Sequence, residues 1–223
     1  KSCGVTTSLD LALADPDSPA GLAPWPAILR AVLPHVDIVV PSVEEVLLML
    51  DRPAFLARRD EARARGCDAL QLISEDEFSR LAAQLTDLGA GVVMLKAGPR
   101  GIYARTAGAA RLSAFGRAKA GAAWAQRELW VPAFYVEKIA NATGAGDCAI
   151  AGFLASFTHG DTLEAALQFA TAAGRQNVLT YDSASGIRPY HETAAEIRSL
   201  RRTVTPVFPP GWRYDERTQL WHG

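Results

Sequence analysis

The sequence predicts an α/β fold, because short apolar runs alternate with stretches of helical periodicity. The strand-like runs lie within residues 3–13, 36–40, 91–98 and 129–136, and Gly, Pro or Asp flanks them. Continuous apolar runs of this length are typical of strands that are buried on both faces. The pattern therefore predicts a mainly parallel sheet with helices packed against it.

The first strand candidate, "CGVTTSLDLAL", begins almost at the start of the chain. Residue 1 is Lys rather than Met, and no long apolar segment with a cleavage site follows, so a signal peptide is not indicated. The segment is typical of the interior of a domain. We therefore expect an N-terminal portion of the protein to lie outside this chain.

Three helices are predicted between the strand candidates. In each of them the apolar residues recur every three or four positions, which places them on one side of a helix. These residues are Ile28, Leu29, Val32 and Leu33 in the first helix, Val43, Val46, Leu47 and Leu50 in the second, and Phe78, Leu81, Ala82 and Leu85 in the third. Acidic residues open the third segment, as is favourable at a helix N-terminus.

Two stretches depart from this pattern. Residues 107–127 are rich in Ala and Gly, with scattered Arg and Lys, and predict a long surface loop. The C-terminal stretch has a Pro-rich start followed by Trp212 and Trp221 around a polar centre, which predicts a small hairpin packed on the domain. We interpret the tryptophan pair as packing rather than as a ligand cage.

Composition excludes several classes of function. The chain has 223 residues, 23 basic and 24 acidic, so its net charge of −1 provides no broad field for nucleic acid or an anionic membrane surface. No apolar run approaches the roughly 20 residues of a membrane-spanning helix. Three cysteines lie far apart without a CxxC spacing, which predicts reduced thiols in a cytoplasmic protein.

The stretch "NATGAGD" at 141–147 is the strongest chemical signal. Gly144 and Gly146 let a ligand approach the main chain closely, and the apolar residues after Asp147 have helical spacing up to Gly160. Free N–H groups at a helix N-terminus bind anions, most often phosphate. Asp147 is either an ordinary N-terminal helix acid or the acceptor of a proton in phosphoryl transfer. The motif matches neither a Walker A sequence nor GxGxxG.

Four motifs in one order resemble the ribokinase-like (PfkB) carbohydrate kinases. "NATGAGD" resembles their signature D-T-x-G-A-G-D, and "VDIVVPSVEEV" resembles a strand followed by P-N-x-x-E. "VVMLKAGPRGIY" resembles a strand followed by a K-x-G-x-x-G turn, and "ALQFATAAGRQNV" resembles the helix beside the adenine. The resemblance covers roughly residues 1–190.

The resemblance implies a three-layer α/β/α fold and an ATP- and Mg²⁺-dependent kinase for a hydroxyl of a sugar-like molecule. Residues 1–190 would form the nucleotide-binding and catalytic core, and 191–223 a C-terminal helix and Trp-containing tail. The first sheet strands and a β lid of this family would lie before Lys1. Because such lids often form dimer contacts, a homodimer is one implied assembly.

The resemblance also implies roles for single residues. Asp147 would be the catalytic base, and the anion hole would consist of Gly144, Ala145 and Gly146. Glu45 would help to organise Mg²⁺ and the phosphates through water. Read without the family, Glu45 is a solvated helix acid beside Glu44.

Further implied contacts concern the nucleotide and a cation. The residues near the phosphates, ribose or base would be Ser42, Lys96, Gly98, Gly101 and Thr171. Asn141 and Thr143 match positions where some members bind a monovalent cation such as K⁺. Read alone, "AGPRG" is an ordinary turn between strands.

Some residues depart from the family pattern. Ser42 stands where Asn is usual, and Asn141 replaces an Asp, which removes a charge from the cation site and argues against potassium dependence. Asp10 lies where related enzymes sometimes approach substrate, although a turn acid is the other interpretation. These departures leave a nucleotide- or sugar-binding regulatory protein without turnover as the alternative function.

Overall fold

The protein was analysed as a computed structural model that describes residues 3–203 and 211–223. The strands are β1 (Ser8–Leu9), β2 (Ile38–Val39), β3 (Val92–Lys96), β4 (Ile102–Thr106), β5 (Glu128–Val131), β6 (Arg213–Asp215) and β7 (Leu220–His222). They form one seven-stranded sheet in the order β1-β2-β3-β4-β5-β7-β6. The helices are α1 (Trp25–Val32), α2 (Val43–Leu50), α3 (Arg52–Arg65), α4 (Glu75–Asp87), α5 (Ala109–Ser113), α6 (Ala145–His159), α7 (Leu163–Val178) and α8 (Tyr190–Glu196).

Side chains of alternate strand residues enter two separate hydrophobic cores. On β3, Val93 and Leu95 join the core formed with α1, α2, α3 and α4. Val92 and Met94 join the other core, formed with α5, α6 and α7. Because successive strand residues point to opposite faces, the sheet has helices on both sides. The predicted three-layer α/β/α fold is confirmed.

The sheet is mixed, with its parallel part at one side. β1, β2 and β3 run parallel, joined by connections that contain helices. β4 pairs antiparallel with β3, because their connection is a turn of residues 97–101 that is too short for a parallel crossover, and β5 pairs antiparallel with β4. β5 again runs in the direction of β1, β2 and β3, so the carboxyl ends of these four strands lie at the same edge.

The predicted helices are present, and their starts are well specified. α2 and α4 each begin with a capping box, formed by Ser42 with Glu45 and by Ser74 with Glu77. The predicted stripe of α4 is fully buried. The predicted buried face of α1 is only partly confirmed, since Val32 is 37 % exposed.

The surface-loop prediction for residues 107–127 is wrong in part. The stretch contains α5, and the side chains of Leu112, Phe115 and Trp124 are buried in the core beneath α6. Trp124 packs edge-on against Phe153 and Phe157. Because the stretch is rich in Ala and Gly, its composition did not indicate that these three large apolar side chains are buried.

The C-terminal hairpin is confirmed, and it extends the sheet. β6 and β7 pair antiparallel, and β7 pairs with β5. Trp212 and Trp221 pack against the core on the α1–α4 side, as predicted. The Pro-rich residues 206–210 lie outside the described residues. No helix within the described ranges is long and apolar enough to cross a membrane.

Candidate active site

The carboxyl ends of the three parallel strands carry the first group of candidate residues. Asp10 follows β1, Ser42 follows β2 and Lys96 is the last residue of β3. The backbone N–H of Lys96 donates to the carbonyl of Pro41 at 2.8 Å, which holds the β2 and β3 ends side by side. In an open α/β sheet, ligands bind outside this edge.

Glu45 is held by the capping box at the start of α2. The backbone N–H of Ser42 donates to Oε2 of Glu45 at 2.8 Å, and Glu45 N–H donates to Oγ of Ser42 at 3.2 Å. The residue is only 9 % exposed, so the solvated-acid interpretation is wrong. Burial raises the pKa of the Glu45 carboxyl, opposed by the Ser42 N–H and by Lys96.

Lys96 forms an ion pair that the sequence did not reveal. Its Nζ lies 2.9 Å from Oδ1 and 3.1 Å from Oδ2 of Asp10. Its stem lies against the start of α6, since a Cβ built on Gly146 would be 3.6 Å from Cδ and 3.7 Å from Nζ of Lys96. The β3 ammonium and the positive end of the α6 dipole therefore adjoin each other, and Asp10 offsets their charge.

The start of α6 presents main-chain donors. Gly144 is the N-cap, with φ 84°, and a Cβ there would be 3.0 Å from Cβ of Ser183. The Ala145 N–H donates to the Ala142 carbonyl at 3.2 Å. The amides of Gly146 and Asp147 have no acceptor within residues 3–203 and 211–223.

Of the three amides predicted for the anion hole, those of Gly144 and Gly146 have no acceptor among the described residues, whereas that of Ala145 is already paired. In α6 itself the free donors are the amides of Gly146 and Asp147, and Gly144 supplies the left-handed turn before them. The Asp147 side chain is exposed in the first turn, and its carboxylate makes no hydrogen bond or ion pair with the described residues. A carboxylate, an ammonium and two free amides thus lie around one edge.

The glycines of the β3–β4 turn have different structural reasons. Gly98 has φ 49° and Gly101 has φ 104°, and a Cβ on Gly101 would lie 2.0 Å from the Val131 carbonyl oxygen. Between them, Arg100 donates to the Ile73 carbonyl and pairs with Glu75, both at 2.6 Å. These contacts hold the turn in place, and the positive φ and close packing of Gly101 explain this glycine without a ligand.

Thr171 belongs to a second cluster, beside β5. Its Oγ1 accepts from Nη1 of Arg202 at 3.0 Å and donates to the Gln168 carbonyl at 2.9 Å. Arg202 also donates to the Pro132 carbonyl, and its guanidinium lies 3.6 Å above the Phe134 ring. Burial lowers the pKa of Arg202 to about 9. The hydroxyl of Thr171 is therefore held by a residue that sequence reasoning missed.

Asn141 and Thr143, the two residues that match a cation site in some family members, are hydrogen-bonded to each other. The Thr143 N–H donates to Oδ1 of Asn141 at 3.0 Å, and Nδ2 of Asn141 donates to the Tyr181 carbonyl at 3.0 Å. A K⁺ site needs oxygen atoms facing the ion, as hard cations require. Asn141 instead directs an N–H at the carbonyl, so it does not fit a monovalent cation.

Glu45 does fit a hydrated Mg²⁺. Among the described residues, its Oε1 has no hydrogen-bond partner, although the side chain is buried. A carboxylate oxygen is the kind of ligand that Mg²⁺ prefers, and the ion usually keeps several waters. Glu45 is the residue of this edge that would hold it.

Comparison with known proteins gives one family match. The family model described as pfkB family carbohydrate kinase matches residues 10–189. A search of curated protein sequences gave no significant match.

Solved structures share the fold. Ribokinase of Arabidopsis thaliana, complexed with ribose and ATP, is 21 % identical, with a TM-score of 0.55 over 88 % of this chain and 48 % of its own. A putative ribokinase II from E. coli is 22 % identical, with a TM-score of 0.56 over 89 % and 50 %. Aminoimidazole riboside kinase of Salmonella enterica, complexed with aminoimidazole riboside and an ATP analogue, is 16 % identical, with a TM-score of 0.53 over 87 % and 52 %.

The chain spans about half the length of these solved structures. At such identities the likeness shows the fold alone. The family match rests on the chain's own sequence and covers most of it, including Asp10, Glu45, Lys96 and the α6 start. The chain therefore belongs to the pfkB family of carbohydrate kinases.

Proposed function

We propose that this chain carries the nucleotide-binding and phosphoryl-transfer part of an ATP- and Mg²⁺-dependent kinase that acts on a hydroxyl of a sugar-like molecule. One observation carries the proposal most directly. The Lys96 ammonium lies against Gly146, where α6 offers two unpaired amides beside the free Asp147 carboxylate. Positive charge and directed donors suit phosphate, and the carboxylate suits a hydroxyl.

Each residue has a part in the proposed reaction. The amides of Gly146 and Asp147, with Lys96, stabilise the charge on the transferred phosphoryl group. Asp147 orients the acceptor hydroxyl and takes its proton as the oxygen–phosphorus bond forms. The bond between the γ-phosphorus and the bridging oxygen breaks, and ADP leaves with that electron pair.

Mg²⁺ would neutralise phosphate charge when bound, and Glu45 would hold it through water. Glu45 is suited to this role because Ser42 fixes its orientation through both capping-box hydrogen bonds. Lys96 balances the second carboxylate of the edge, Asp10. Ser42 thus acts on the site through Glu45 rather than by direct contact.

The proposal is tested by measuring ADP release and phosphoryl transfer by the complete gene product across a panel of sugars and nucleosides. The expected result is ADP release that depends on one acceptor class, with a stoichiometric amount of phosphorylated acceptor. Nucleotide binding in calorimetry without transfer to any acceptor or to water would contradict it. That outcome would favour the regulatory binding protein instead.

A further inference from the structure

The side chain of Asn141 joins two loops next to the α6 start. Its Oδ1 accepts from the Thr143 N–H at 3.0 Å, and its Nδ2 donates to the Tyr181 carbonyl at 3.0 Å. A main-chain N–H only donates and a carbonyl only accepts, so these two partners together fix which end of the amide is which. Asn141 therefore supplies the donor that the Tyr181 carbonyl needs.

The loop after α7 supports the turn that begins α6. The Ala140 N–H donates to the Val178 carbonyl at 2.8 Å. The Ser183 carbonyl accepts from Nδ2 of Asn177 at 2.8 Å and from the Cys148 thiol at 3.2 Å. With Asn141 and Tyr181, three hydrogen bonds fasten residues 178–183 to the residues on either side of Gly144, and the Asn177 bond ties the loop back to α7.

This packing leaves little freedom at the turn. A Cβ on Gly144 would approach Cβ of Ser183 to 3.0 Å and Nδ2 of Asn177 to 3.3 Å. The free amides of Gly146 and Asp147 follow directly on this turn. Their direction depends on where residues 178–183 hold the turn, and Asn141 is the side chain that spans the two loops.

We propose that Asn141 is a positioning residue that sets the α6 amides for phosphate, and that it makes this site independent of monovalent cations. The proposal rests on the function proposed above. An Asp at this position would place two acceptors, its carboxylate and the Tyr181 carbonyl, opposite each other, and a cation between them would satisfy both. Asn141 instead donates its own N–H to the Tyr181 carbonyl, so no cation is needed there.

One side chain near this loop favours K⁺ binding instead, and the test must include it. Oδ1 of Asn177 is fully buried and has no hydrogen-bond partner among the described residues. It is an oxygen near the same loop, and with the Ser183 carbonyl it offers a rival set of ligands for K⁺. The rival predicts that wild-type protein gains stability or nucleotide affinity from K⁺.

The experiment compares wild type, Asn141→Asp and Asn141→Ala of the complete gene product in KCl and in choline chloride at equal ionic strength. Thermal unfolding and calorimetric titration with the Mg²⁺ salt of a non-hydrolysable ATP analogue are measured in both. Wild type is expected to give the same midpoint and the same Kd in the two salts. Asn141→Ala is expected to bind the analogue about 2- to 10-fold more weakly in both, since one hydrogen-bonded tie is lost.

The Asn141→Asp variant distinguishes the loss of the hydrogen bond to the Tyr181 carbonyl from the effect of the added negative charge. It is expected to match Asn141→Ala in choline chloride, and to regain both midpoint and affinity in KCl. A wild-type Kd or midpoint that improves in KCl overturns the proposal, as does an Asn141→Ala variant that binds like wild type. An Asn141→Asp variant that K⁺ fails to rescue overturns the charge argument.

The outcome is distinguishable from failure of the proposed function. The wild-type salt comparison needs no variant, and the unfolding midpoints need neither nucleotide nor turnover. If the protein binds nucleotide but transfers no phosphoryl group, the proposed function fails while the salt dependence still decides the role of Asn141.

Discussion

The ammonium of Lys96 lies 2.9 Å from Oδ1 of Asp10, at the point where the ends of β1 and β3 meet the start of α6. The side chains are 14 % and 33 % exposed, so water screens the pair only in part. Asp10 compensates a positive charge that would otherwise adjoin the positive end of a helix. This role predicts that the two residues are coupled in their effects on stability.

The first prediction is that Asp10→Asn and Lys96→Met are coupled. Asp10→Asn leaves a half-buried ammonium without its counter-charge, whereas Lys96→Met removes the need for it. A double-mutant cycle from urea unfolding is expected to give a coupling free energy of about 1 kcal/mol. Additive effects of the two substitutions would contradict the ion pair. Arg59→Met with Asp60→Asn, an exposed pair on α3, is the matched control, with a coupling near zero.

The second prediction separates the two capping boxes. Ser42→Ala and Ser74→Ala each remove an N-cap hydroxyl, so each is expected to lower the free energy of unfolding by about 1 kcal/mol. Only Ser42→Ala is expected to weaken binding of the Mg²⁺–ATP analogue, because only Ser42 orients Glu45. Calorimetry decides this, and equal nucleotide affinities of the two variants would contradict it.

The third prediction concerns pH. Burial raises the pKa of Glu45 from the value of 4.5, so the folded state binds a proton more tightly than the unfolded state. Stability contributed by this group is therefore greatest at low pH and falls as the pH rises from 4.5 through the folded-state pKa. Urea unfolding at a series of pH values is expected to show wild type losing stability relative to Glu45→Gln across this window. If the stability of wild type relative to Glu45→Gln stayed constant or increased as the pH rises, the assignment would be refuted.

The fourth prediction distinguishes the two glycines of the α6 start. Gly146→Ala introduces a Cβ at ordinary contact distance from Lys96, and its φ is helical, so stability is expected to stay within about 0.5 kcal/mol of wild type. Nucleotide affinity is expected to fall about 10-fold, because the methyl group occupies the approach to the free amides. Gly144→Ala is expected to cost about 1–2 kcal/mol of stability, since Gly144 has φ 84°. Unchanged nucleotide affinity in Gly146→Ala would argue against phosphate at this position.

Local patterns were sufficient to predict helices α1, α2, α4 and α6 and the C-terminal hairpin, but not α3 or α5. α2, α4 and α6 have both an apolar stripe and clear terminal residues, and structure and sequence agree there. The surface-loop prediction failed at residues 107–127 because burial of Leu112, Phe115 and Trp124 depends on the position of α6, which no local window contains.

The contacts between distant residues could not be predicted. Lys96 and Asp10 are 86 positions apart, and Arg202 reaches Thr171 across 31 positions. A motif indicates that Lys96 belongs to the site, but only the meeting of the β1 and β3 ends gives it a counter-charge. The bond of Asn141 to the Tyr181 carbonyl has the same origin, since it requires the loop after α7.

The most direct test of the central claim compares Asp147→Asn with Asp76→Asn at saturating acceptor. Both are exposed acids in the first turn of a helix, so loss of the favourable dipole contact is matched between them. Single-turnover phosphoryl transfer is expected to fall about 100- to 10,000-fold in Asp147→Asn, with nucleotide affinity little changed, and to stay at the wild-type rate in Asp76→Asn. Transfer by Asp147→Asn at the wild-type rate would contradict the assignment of Asp147 as the base.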